Sequence, residues 1–157
     1  GGGNSWIGFF NTATANEWRS ANSLSLRIYG RGSHFLAYPE YGTANWRAGA
    51  DGFVSGGNEV LFPVNTNLNW SLSYNPAGNG GGGTVTAVLN GITVVKDLDP
   101  GHKLDTAVFN RFGLGAVNKS YDSPGQLWID NLNVNGVTRR RRRCPRSRRK
   151  ASLFTAL

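Results

Sequence analysis

Cysteine is nearly absent. The only one, Cys144, sits near the C-terminal end of the 157 residues, so neither an internal disulfide nor a thiolate metal site can form. Methionine is missing altogether. Gly1-Gly2-Gly3 is therefore not read as a native translation start, and the chain is expected to be processed, trimmed or a fragment. No apolar run approaches the roughly 18 residues of a membrane-spanning helix, and no signal peptide opens the chain. His34 and His102 are the only histidines, and they lack metal-ligand spacing. No Gly-x-Ser-x-Gly elbow is present, which leaves a serine-hydrolase triad without its nucleophile turn. Gly80–Gly83 is followed by neither Gly-Lys-Ser/Thr nor a helical pattern, so it reads as a flexible connection and not as a phosphate loop.

What is present is apolar enough to fold. Hydrophobic residues make up 39% and aromatic ones 11%, with five tryptophans, a composition unusual for a disordered chain. The formal charge of +8 is unevenly placed. Residues 1–138 hold eight basic and all nine acidic residues and are close to neutral. The other nine basic residues fall within 139–150. The chain therefore reads as a body over 1–137 and an Arg-rich tail over 138–157, which like-charge repulsion should keep disordered on its own.

The body is patterned for strands. Ser23–Tyr29 alternates apolar and polar residues up to Gly30, and Asn69–Tyr74 repeats this with Trp70, Leu72 and Tyr74 on one face. Thr84–Leu89 and Ile92–Leu98 flank Asn90-Gly91, which requires a two-residue hairpin because both turn positions need φ > 0. Gln126–Val134 is a further strand. Shorter ones are expected at Trp6–Phe10, His34–Tyr38, Asn45–Ala48, Glu59–Phe62 and Phe109–Leu114. No helical stripe is evident, and Asn11–Asn22 suits a loop. Strands spaced about ten residues apart with turn signals between them indicate an antiparallel sandwich or barrel.

Three chemistries are open to these residues. Glycoside hydrolysis needs two carboxylates about 5–10 Å apart. Asp97 and Asp99 share a face at a strand end, although capping the turn before Pro100 competes with that role. Glu40, beside Tyr38 and Tyr41, has an aromatic setting that would suit an acid catalyst, against the alternative of a solvated edge glutamate. Sugar binding needs exposed aromatic faces flanked by hydrogen-bonding groups. Trp18-Arg19 and Asn45-Trp46-Arg47 fit, with Arg31, Tyr38, Glu40 and Tyr41 expected on one shared sheet face; Trp70 and Trp128 are expected to be core fillers. Nine cations in the tail would bind nucleic acid or an anionic membrane with strong salt dependence, unless the tail is a frameshifted linker whose charge carries no function. The near-neutral body argues against nucleic-acid binding as the original role.

Several phrases together resemble one superfamily. They are Trp70-Ser71-Leu72-Ser73-Tyr74-Asn75-Pro76, Gly78–Thr86, Leu89-Asn90-Gly91, Pro100-Gly101-His102, Phe109–Leu114 and Leu127-Trp128-Ile129-Asp130-Asn131-Leu132. Over residues 5 to 136 the chain resembles the concanavalin A-like lectin/glucanase superfamily, specifically laminin-G-like modules of bacterial exported proteins. The resemblance implies an all-β, antiparallel two-sheet jelly-roll sandwich and an extracellular or cell-surface setting. It implies a noncatalytic carbohydrate-binding or adhesion module, its ligand a polysaccharide or glycan held by Trp46, Arg47, Tyr38, Glu40, Trp18 and Arg31. The alternative within the superfamily is a glycoside hydrolase using Glu40 or Asp97 and Asp99, but the Glu-x-Asp-x-x-Glu strand motif of that branch is missing. Calcium is common in the superfamily, and Asp99, Asp122, Asp130 and the Asn-rich loops could supply part of an oxygen shell. Family domains generally begin with one or two more strands, which leaves room for a missing N-terminal piece. An edge left unpaired that way could drive homo-oligomerisation.

Overall fold

A computed structural model describes residues 4–15, 19–116, 129, 132–134 and 137–138. The strands, in chain order, are β1 (Asn4–Phe10), β2 (Ser23–Arg31), β3 (His34–Gly42), β4 (Arg47–Gly49), β5 (Val54–Ser55), β6 (Asn58–Glu59) and β7 (Phe62–Pro63). They continue with β8 (Trp70–Asn75), β9 (Thr84–Leu89), β10 (Ile92–Asp97), β11 (Arg111–Ala116), β12 (Asn133–Val134) and β13 (Val137–Thr138). Helical structure among the described residues is limited to two 3-10 turns, Asn79–Gly81 and His102–Leu104. No helix among them is long and apolar enough to cross a membrane.

Two compact units divide the chain, one spanning Gly1–Tyr121 with Thr155–Leu157 and the other Asp122–Phe154. In the second, β12 and β13 pair antiparallel. In the first, a larger sheet runs β11-β1-β2-β3-β4, with β7 also on β3, and a smaller sheet runs β10-β9-β8. All pairings are antiparallel. The sheets face each other across a buried cluster of Leu24, Tyr41, Val85 and Leu98, with Phe9, Ala48 and Leu72 packed against it. Each such aliphatic side chain taken out of water contributes about 1.5–3 kcal/mol. This is the all-β, two-layer antiparallel arrangement that the patterning predicts.

Period-two alternation decides which residues share a face. In the larger sheet the register aligns Leu24 with Tyr41 and Leu26 with Pro39 on the core side. It aligns Ser25 with Glu40 and Arg27 with Tyr38 on the opposite side. In the smaller sheet Val85, Ala87 and Leu89 are buried while Thr84, Thr86 and Val88 are not. The β9–β10 hairpin closes through Asn90 (φ 50°) and Gly91 (φ 81°), the conformation this dipeptide demands.

Several strand ends differ from expectation for local reasons. β2 continues through Gly30, because the reversal falls at Gly32-Ser33 and pairs Arg31 with His34. The single strand expected at Glu59–Phe62 splits into β6 and β7. Between them Val60 N–H donates to Phe53 O at 2.8 Å, and Phe62 turns in against Phe53 and Phe35, each 5.5 Å away between ring centroids. Asn45 and Trp46 form a turn and not the start of a strand. The strand expected over Gln126–Val134, with Trp128, falls mostly outside the described residues, as does the tail beyond 138.

Candidate functional site

The most exposed tryptophan among the described residues is built into a hydrogen-bonded loop. Between β3 and β4, Thr43 N–H donates to Trp46 O (2.8 Å) and Trp46 N–H to Thr43 Oγ1 (3.0 Å). Asp105 locks this loop from outside: one oxygen accepts from the Thr43 hydroxyl (2.5 Å) and from Asn45 N–H (2.7 Å), the other from the Asn45 side-chain amide (2.7 Å). These donors, the Thr43 hydroxyl foremost and the Asn45 backbone next, hold the Asp105 carboxyl below its ordinary value. The indole of Trp46 is left 54% exposed.

Beneath that indole lies His102, stacked at 5.1 Å between centroids and 12° between planes. His102 follows a tight turn, Asp99-Pro100-Gly101-His102, closed by His102 N–H on Asp99 O at 3.0 Å. Proline pre-sets the first central position, and glycine accepts the positive φ (83°) at the second. The imidazole Nδ1 is 2.9 Å from the Tyr41 hydroxyl, which also accepts Asp99 N–H at 3.0 Å. Burial pushes the Tyr41 phenol above its ordinary value. The Asp99 N–H opposes that rise, the Asp99 carboxylate adds to it, and Lys96 opposes it. Asp99 is held by Lys96 Nζ at 2.7 Å and lies 4.0 Å from His102 Nδ1.

Next to this cluster is an open groove of about 320 Å³, with walls including Asn79, Gly82, Leu98, Asp99 and Leu104. Lys103 braces it, donating from Nζ to Pro76 O and Gly81 O, both at 2.6 Å. The glycine-rich connection of 75–83 is thus tied down, in contrast to the flexible link expected from its composition.

The sugar-binding patch expected from sequence is divided. Trp46 joins Tyr41, His102 and Asp105 at the end of the core side. Tyr38 and Glu40 lie on the opposite face of the larger sheet, with Arg27 and Arg31 in register on the same side. Tyr41 does not share their face, since it is adjacent to Glu40 in one strand and alternation sends it inward. Arg47, exposed at the start of β4, pairs with Gly42 and so falls on the Glu40 side. The Arg31 guanidinium sits 4.9 Å over the Tyr29 ring, and that of Arg27 4.2 Å over Tyr38. The Tyr38 hydroxyl donates to Glu59 at 2.7 Å. Burial first, then that bond and the Glu59 charge, push its phenol up to about 12 against Arg27 and Arg31. Trp18 lies outside the described residues.

Glu40 is neither a solvated edge residue nor an exposed acid. It is 1% exposed, and Oε1 accepts from Arg27 Nε at 2.8 Å and from an Arg19 terminal nitrogen at 3.1 Å. Its Oε2 is buried without a partner. Gly49 opposite makes the room, since a Cβ there would stand 2.9 Å from Glu40 Cγ. At 1% exposure the carboxylate presents no surface to a substrate, so the acid-catalyst role is not carried further. Asp97 is occupied by the Thr84 hydroxyl (2.7 Å). The Asp99 carboxylate turns to Lys96, while its main chain forms the turn it was expected to cap. Among the described residues no group of three or more His, Cys, Asp or Glu side chains is placed to hold a metal ion. Asp122 and Asp130, expected as partial calcium ligands, lie outside them.

Trp70 is half-buried at the start of β8, and Tyr74, expected on its face, is 41% exposed. Sequence reasoning missed Asp105 and weighed His102 only as a triad or metal residue. The signal available for His102 was its place after Pro100-Gly101, which fixes a turn. Nothing local marked Asp105 as the anchor of a loop sixty residues away.

Comparison with protein-family models, with curated proteins and with solved structures finds no match for this chain.

Proposed function

We propose that the body is a noncatalytic carbohydrate-binding or adhesion module of an exported bacterial protein, working at the cell surface or outside the cell on a polysaccharide or glycan. The observation that carries this reading is Trp46, an indole 54% exposed on a loop that Asp105 and Thr43 hold rigid. An open indole face stacks on the apolar face of a pyranose ring, and a preorganised loop spares the ligand the cost of ordering it. The neighbouring groove between the 75–83 loop and 98–104 offers room for an adjoining residue of the glycan. Carboxylates engaged by Arg19, Arg27, Lys96 and Thr84 favour binding over hydrolysis.

The test is a glycan and polysaccharide array probed with the full chain and with Trp46→Ala, at low and high salt. Binding that resists salt and falls at least tenfold in Trp46→Ala supports the module. Binding that Trp46→Ala leaves intact and salt abolishes belongs to the Arg-rich tail, and would overturn the reading.

A further inference from the structure

Resting on the reading of Trp46 as a stacking platform, we propose that His102 is the specificity residue of the same site. Its Nε2–H would donate to an oxygen acceptor on the sugar docked at Trp46. Two groups meet the Tyr41 hydroxyl: the Asp99 N–H, which it accepts, and His102 Nδ1 at 2.9 Å. On this assignment the Tyr41 proton goes to the second contact, which leaves Nδ1 accepting and the neutral ring with its hydrogen on Nε2. Among the described residues that nitrogen makes no hydrogen bond and is not one of the buried polar atoms left without a partner, so it is open to a ligand.

The ring cannot swing away from this pose. Tyr41 sits in the core cluster, Asp99 is clamped by Lys96, and Trp46 covers one face of the imidazole. The charged groups nearest it are Asp99 and its partner Lys96. Asp105 and Lys103, which flank the same turn, are turned to the 43–46 loop and to the Pro76 and Gly81 carbonyls. A fixed donor beside an aromatic platform selects a pyranose that presents a hydroxyl, ring, carbonyl or carboxylate oxygen at the stacked edge. A donor of this kind discriminates through the hydrogen bond that a wrong ligand leaves unmade.

Two measurements on the full chain test the assignment. Long-range proton–nitrogen NMR of the imidazole should show hydrogen on Nε2 and a bare Nδ1, with a mixture of tautomers in Tyr41→Phe. Hydrogen on Nδ1 in the wild type overturns the proposal. Affinity is then read by calorimetry with a neutral β-glucan and with a polyuronate, whose comparison separates a hydroxyl or ring acceptor from a carboxylate. His102→Phe keeps the stacked ring but not the donor, and should bind about fivefold more weakly. His102→Gln, with an amide N–H at the same reach, should restore most of the loss. Full affinity in His102→Phe together with a loss in Trp46→Ala refutes the role of His102 and leaves the platform standing. Unchanged affinity in both variants, or no affinity of the wild type for either polysaccharide, overturns platform and donor together.

Discussion

Replacing Glu40 with glutamine keeps the shape of the side chain and removes one charge from a site that water barely reaches. Glutamine can still offer an oxygen to Arg27 and Arg19, but its amide nitrogen then takes the buried place of Oε2. Removing one partner of a fully buried ion pair costs about 3–5 kcal/mol. Arg27 and Arg19 keep 15% and 28% of their side-chain surface in water, which lets them recover part of that. The expected loss is about 2–3 kcal/mol. With a urea dependence of about 2 kcal/mol per molar, the midpoint should fall by about 1–1.5 M with an unchanged slope. Fluorescence-detected urea unfolding reads this directly. A midpoint within about 0.3 M of wild type would refute the claim that the carboxylate is needed to compensate the two guanidiniums. A double variant with Arg27→Met should be less destabilised than the sum of the singles, because both singles break the same ion pair.

Four further outcomes follow from the same structure. Asp105 has its carboxyl lowered by Thr43 and Asn45, so its contribution is present above the ordinary value of 3.8 and is lost as pH falls through the lowered one; the 43–46 loop should therefore stay ordered at pH 3.8 and loosen only at lower pH, as followed by the amide signals of Asn45 and Trp46. Tyr38, raised to about 12 in the folded protein, contributes stability below about pH 10 that disappears between there and 12; ultraviolet titration should find it still protonated at pH 11, and Glu59→Gln should lower its midpoint. Gly49→Ala would press a methyl against Glu40, Pro39 and Arg19 and should destabilise by about 1–3 kcal/mol in urea unfolding. Gly91→Ala, at φ 81°, should cost about 1–2 kcal/mol in the same measurement.

Local signals in the sequence were read correctly where short-range sterics decide the outcome. Asn90-Gly91 makes its hairpin, and Leu24, Leu26, Val85 and Leu89 face inward as their alternation requires. Alternation also bore on the site, because Glu40 and Tyr41, being adjacent in a strand, had to point to opposite faces. The patch drawn from composition ignored that. Burial of Glu40 was not legible, because it depends on Arg19 from a loop and Arg27 from the next strand, and charge pairing across strands leaves no trace in local pattern. Trp46 was legible as an exposed aromatic among polar neighbours, though the strand expected to begin at Asn45 starts only at Arg47. Its pairing with His102 was not, since the two meet only after the smaller sheet has been laid on the larger.

The place of β1 in the larger sheet has a consequence for how the chain reaches its fold. β8, β9 and β10 pair only with one another, each with its neighbour in sequence, and can assemble as they are made, like a zipper closing behind the moving hand. β1 instead waits between β2 and β11, and half of its hydrogen bonds need a strand from the far end of the body. On the ribosome, Trp6, Ile7 and Phe9 must therefore stay only half clothed until Arg111–Ala116 has emerged. Ring closures of this span put folding in the slow regime of non-local β topologies, about milliseconds to seconds. During that interval the open flank of β1 is an unpaired strand edge of the kind that invites aggregation.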